Sequence, residues 1–66
     1  MTRLEANKKI IEAVSKAVEM FPDWRFHQIL QNIGCVVLDV DQWHEEPEDT
    51  LERISSNVIV KMLKES

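Results

Sequence analysis

Sixty-six residues with a formal net charge of −4 make at most one small acidic domain, near the lower size at which a chain folds alone. A single cysteine excludes an internal disulfide and a cysteine-rich zinc site. No apolar run approaches the roughly 20 residues of a membrane span, and no signal-peptide core opens the chain, so a cytoplasmic protein without a membrane partner is expected. An acidic surface repels phosphate backbones at long range, which argues against nucleic acid as partner.

Thr2-Arg3-Leu4-Glu5 fits a capping box, the threonine hydroxyl and the glutamate three residues on serving free backbone N–H groups. Ile10, Val14, Ala17 and Phe21 then recur at helical spacing, with Ile11 and Val18 expected to widen the stripe. Lys8, Lys9, Glu12, Lys16 and Glu19 take the other side, and Glu5–Lys9 and Glu12–Lys16 are spaced for i,i+4 ion pairs. A first helix over about 3–20 follows. Pro22 ends it by biasing Phe21 away from helical angles.

A second helix over about 23–33 starts at Pro22 or Asp23 and stops at Gly34, the residue suited to a left-handed C-terminal cap. Phe26, Ile29, Leu30 and Ile33 are its expected core stripe. Arg25, Gln28 and Asn32 line a second face, and Trp24, His27 and Gln31 a third.

Cys35-Val36-Val37-Leu38 and Val40 have strand-like composition, but the chain offers no second strand. The segment is therefore expected to be an extended connector over 35–46; the alternative is a strand that pairs with its copy in a homodimer. Pro47 opens a third helix to about residue 64, with Glu48 and Asp49 in its first turn and Lys61 and Lys64 in its last. Leu51, Ile54, Val58, Ile59, Met62 and Leu63 form its expected inner stripe, Val60 points outward, and Asp49–Arg53 is a further i,i+4 pair. The expected fold is all-α, a single-domain three-helix bundle with helices at about 3–20, 23–33 and 47–64.

The acidic loop Asp39–Glu46 resembles a cation site only in composition. Counted from Asp39, an EF-hand loop would need glycine where His44 stands and glutamate where Thr50 stands. The two histidines, His27 and His44, do not share a helix face, so no catalytic zinc set is spelled out. Cys35, Ser15, Ser55 and Ser56 are the nucleophile candidates. None lies in a nucleophile elbow, and one glycine cannot build a phosphate loop. No metal, cofactor or enzymatic activity is expected.

Arg25, Gln28 and Asn32 carry planar hydrogen-bonding groups suited to base edges or to a partner's backbone. Trp24 and Trp43 suit an interface, where Trp and Arg dominate binding energy. With His27 and His44 they make the candidate interaction surface: Trp24, Arg25, His27, Gln28, Asn32, Trp43 and His44. The bland alternative makes Arg25 and Gln28 caps for neighbouring loops and the tryptophans an enlargement of a small core.

Arg25-Phe26-His27-Gln28-Ile29-Leu30-Gln31-Asn32, then Trp43-His44-Glu45-Glu46-Pro47 and a helix beginning near Thr50-Leu51, resembles a loose group of small uncharacterised bacterial and phage proteins. That group shows an Arg-Phe-x-Gln-x-Leu-x-Asn core followed by an aromatic-acidic loop, and the resemblance spans about residues 20–54. Members often have glycine where this chain has His27. The resemblance implies no chemistry, only that Arg25, Gln28, Asn32 and Trp43 work as one structural or binding unit. A small non-enzymatic module binding a protein partner through the second helix and the Trp43 loop is the expectation. The alternatives are a nucleic-acid-associated regulator presenting helix 23–33 and an acidic phage-type inhibitor that mimics nucleic acid.

Overall fold

A computed structural model describes residues 1–65, with side-chain surroundings through Met62. Four helices follow in order: α1 (Arg3–Met20), α2 (Phe26–Asn32), α3 (Pro47–Ser55) and α4 (Val58–Glu65). The arrangement is the expected bundle with its third arm broken in two. The long α1 is the axis, packing chiefly on α3 and also on α2 and α4. No described helix is long and apolar enough to cross a membrane.

The start of α1 is set by Thr2, whose Oγ1 accepts from the Glu5 N–H at 3.1 Å. The Thr2 hydroxyl in turn donates to the Glu5 carboxylate at 3.2 Å, so the threonine half of the capping box forms and the glutamate half closes side chain to side chain. Neither Glu5–Lys9 nor Glu12–Lys16 closes into an ion pair. Before Pro22, Phe21 leaves the helical region at φ −127°, ψ 66°.

Helix α2 begins three residues later than expected. Pro22–Trp24 form a turn, with the Trp24 N–H donating to the Phe21 carbonyl at 3.1 Å. Arg25 is the extended N-cap residue, and the Gln28 side-chain oxygen accepts from its N–H at 2.9 Å. Arginine has no acceptor to return the favour, so half a capping box starts this helix. Its end is a full Schellman closure: the Cys35 N–H reaches the Leu30 carbonyl at 2.9 Å and the Gly34 N–H the Gln31 carbonyl at 3.1 Å. Gly34 sits at φ +87°, where a Cβ would be strained.

Ala17, Ile29, Ile33, Ile54 and Val60 make the buried core, with Ile10, Ala13, Val14, Trp24, Cys35 and Ile59 packed against it. Several expectations are corrected here. Phe26 is exposed, and Trp24, carried inward by the turn, packs on the core instead. Ile11 and Val18 are exposed because they lie roughly 100° around α1 from the Ala17 line, too far to face α2–α4. Val58 is 71% exposed while Val60 is 4% exposed, the reverse of the expected register, and Met62 is exposed.

The reversal has a local cause. The Asn57 side-chain oxygen accepts from the Ile59 N–H at 2.9 Å, an N-cap that starts a new helix where one continuous helix was expected. The Ser56 N–H still bonds back to Glu52, but the Asn57 N–H turns to Ile54 at 3.0 Å, tightening and ending α3. The 3.6-residue phase restarts, and the inner face moves from Val58 to Val60. Leu63 and Lys64 lie outside the described side chains.

Residues 35–46 contain no strand and pass through successive turns. They are the expected connector, bent where an extended run was anticipated. Asp39 takes a left-handed conformation at φ +62°, which aspartate tolerates better than most residues.

Candidate interaction surface

The connector has no regular structure to satisfy its backbone, and three side chains do so. Gln42 folds back so that its Nε2 donates to the Cys35 carbonyl at 3.0 Å and its Oε1 accepts from the Val37 N–H at 2.8 Å. That is the two-point pairing a neighbouring strand would supply, provided by one amide. Asp41 accepts from the Trp43 N–H at 3.0 Å, an Asx turn, and the Glu45 N–H closes on the Gln42 carbonyl at 3.1 Å.

Arg53, on α3, ties this loop to the bundle. Its Nε donates to the Gly34 carbonyl at 2.7 Å and its Nη2 reaches the Cys35 carbonyl at 3.4 Å. The same guanidinium grips Glu45 with two contacts of 2.8 Å, the bidentate geometry that fixes orientation as well as distance. The Thr50 hydroxyl donates to the same carboxylate. Asn57 completes the set, its Nδ2 donating to the Asn32 carbonyl at 3.0 Å. Carbonyls freed at the end of α2 are thus answered from α3 and the α3–α4 junction, as helix ends require.

These contacts set the local charges. Hydrogen bonds from Arg53 and then Thr50 hold the Glu45 carboxyl at about 2, against an ordinary 4.5. Glu46 is also lowered, chiefly by its hydrogen bond with Arg3, whose Nε and Nη2 reach it at 2.8 and 2.7 Å. Burial pushes the Cys35 thiol up despite Arg53 nearby, so little thiolate is present near neutrality. Among the described residues no three His, Cys, Asp or Glu side chains gather as a metal-holding group.

Above this clamp the loop is apolar. Val36, Leu38 and Val40 are exposed, and Trp43 is 89% exposed. His44 stands beside it with its Nδ1 3.5 Å from Asp41. The other anticipated residues divide. Trp24 is half-buried and stacked on Phe21, ring centres 4.0 Å apart and 8° from parallel. Gln28 is exposed, but its oxygen is engaged at the start of α2. Arg25 and Asn32 are exposed, and His27 is exposed with its ring edge-on to Phe26 at 6.1 Å. No hydrogen bond or ring contact among the described residues joins the Arg25–Asn32 set to Trp43 and His44.

The residues that organise the surface, Gln42, Glu45, Arg53 and Asn57, were not anticipated. The i,i+4 spacing pairs Arg53 with Asp49, one turn away, whereas its guanidinium turns to Glu45 across the loop. The available signal was the three-residue spacing of Thr50 and Arg53, which puts two donors on one face of α3. No family model, curated protein or solved structure matches this chain.

Proposed function

We propose that this chain is a small non-enzymatic interaction module that docks a protein partner on the loop Val36–His44, with Trp43 as the anchor. One observation carries the reading: a tryptophan 89% exposed on a loop pinned at both ends by side-chain hydrogen bonds. An exposed tryptophan costs solvation, and a loop ordered in advance spares a binding partner the entropy of ordering it. Asp39 and Asp41 alternate with the apolar residues of this loop in the chain, so the complementary site is an apolar pocket rimmed by lysine and arginine. The resemblance at Arg25–Asn32 points to a bacterial or phage source.

Two further readings have less support. A nucleic-acid regulator using α2 would have Arg25 as the only cation over 23–33, next to Asp23. An acidic inhibitor that mimics nucleic acid fits the net charge but not an apolar loop tip.

The test is capture of partners from a bacterial lysate by wild-type chain and by Trp43→Ala, followed by affinity measurement on whatever wild type retains. Truncating the anchor is expected to weaken binding by roughly 30-fold or more, with the melting temperature unchanged. A partner bound equally by both chains contradicts the assignment of the loop.

A further inference from the structure

A second apolar feature lies on α1. Leu4, Ile11 and Val18 are 64%, 63% and 41% exposed and stand seven residues apart, so they form one line along the helix, the spacing of a coiled-coil seam. Val14 and Phe21, three residues on from Ile11 and Val18, are half-buried and flank that line. An 18-residue helix is about 27 Å long, and the line runs most of its length.

The total surface is large for the mass. A folded 7.7 kDa monomer is expected to expose roughly 4,300 Å², and this chain exposes 5074 Å². The excess, about 770 Å², is close to the ~800 Å² that each partner contributes to a standard interface. The core is correspondingly thin: two of the six buried residues among those described, Ala6 and Ala17, are alanines. Small domains of this kind commonly gain stability by oligomerising.

We infer that the chain forms a two-fold homodimer through this seam, α1 crossing antiparallel to its copy with Ile11 at the axis. Charge selects a second copy as the occupant. The acidic excess is concentrated in Asp39, Asp41, Glu45, Glu46, Glu48, Asp49 and Glu52, whereas α1 sets Arg3, Lys8, Lys9 and Lys16 against Glu5, Glu12 and Glu19. Two copies that repel through their acidic stretches meet here without net repulsion. Charge also selects the direction. Parallel helices would bring Lys8 at an e position beside the g-position Arg3 of the copy, whose guanidinium already holds Glu46, and would leave Lys8 with no free acid across the seam. The antiparallel crossing sets Leu4 against Val18 and Lys8 near Ser15 and Glu12 of the copy. The inference stands apart from the Trp43 loop, which it leaves free.

Sedimentation equilibrium of the full chain tests it. Wild type is expected at twice the chain mass. Ile11→Glu, placing two carboxylates at the axis, should weaken association by roughly 100-fold or more and leave the helical circular dichroism intact, because Ile11 faces solvent in the monomer. Met20→Glu, on the opposite side of α1, should leave the dimer in place. In a Cys35→Ala background, Ile11→Cys should crosslink to itself through a short bis-maleimide. Leu4→Cys should not crosslink to itself, but should crosslink to Val18→Cys in a mixture. A monomeric wild type, a dimer that survives Ile11→Glu, or self-crosslinking of Leu4→Cys overturns the inference.

Discussion

The apolar core and the polar clamp beside it join the same elements by different physics. Ala17, Ile29, Ile33, Ile54 and Val60 attract without direction, in proportion to the area they remove from water. Arg53, Glu45, Gln42 and Asn57 act only at set distances and angles. The core therefore decides whether the chain folds, and the clamp decides what shape the loop takes once it has. Separating these roles also separates stability from the proposed function: losing core volume unfolds everything, whereas loosening the clamp blurs the presentation of Trp43.

The largest effect is expected from the core. Ile33 is fully buried, and Ile33→Ala should cost about 3–4 kcal/mol, a large share of the roughly 3–10 kcal/mol available to a chain of this size. Chemical denaturation should show a lost or sharply lowered midpoint, and an unchanged midpoint would remove Ile33 from the core. Arg53→Ala should cost less, about 2 kcal/mol, by stripping partners from two carbonyls and one carboxylate that water partly reaches. Its distinguishing mark is that amide-exchange protection falls first at Val37, bonded to Gln42, while α1 stays protected. Uniform loss of protection would mean that clamp and core are one cooperative unit.

The α3–α4 break gives a sharper pair. Val60→Ala should cost about 1.5 kcal/mol through lost burial, and Val58→Ala, at an exposed position, should stay within about 0.5 kcal/mol. Equal costs at the two positions would restore a continuous third helix.

The smallest effect is the dependence on acid. Glu45 has a folded value of about 2, below its ordinary 4.5. Its contribution is therefore complete above about 4.5 and is lost as pH falls from there toward 2. Glu46, lowered by Arg3, acts in the same direction. Denaturation midpoints followed down this window should decline more gently in Glu45→Gln than in wild type, and parallel declines would mean that the Arg53–Glu45 contact does not hold the loop.

Much of the bundle was legible because its signals are local. Thr2, Pro22 and Gly34 each act on their own backbone, and they bound α1 and α2 at three of four ends. The start of α2 was missed because Pro22-Asp23 reads equally as a helix opening or a turn, and the choice rests on where Trp24 finds the core. The α3–α4 break was hidden because Ser55, Ser56 and Asn57 interrupt an apolar stripe whose spacing still looks helical. What decides is the Asn57 side chain, which caps the Ile59 N–H locally while its amide donates to Asn32, 25 residues away. The clamp was least visible. Asp49 and Glu45 lie four and eight residues before Arg53, and only the folded loop brings the second within reach. On the candidate surface, Trp43 and His44 could be placed in an acidic loop, but the fold turns Trp24 partly inward onto the core.

The central claim is that Trp43 is presented by a loop already rigid before any partner arrives. Backbone ¹⁵N relaxation across residues 36–44, in wild type and in Gln42→Ala, tests it most directly. The account predicts wild-type order parameters near the ~0.85 of the helices, falling below about 0.6 in the variant. A wild-type loop already below that lower value, or one indifferent to the loss of Gln42, would contradict it.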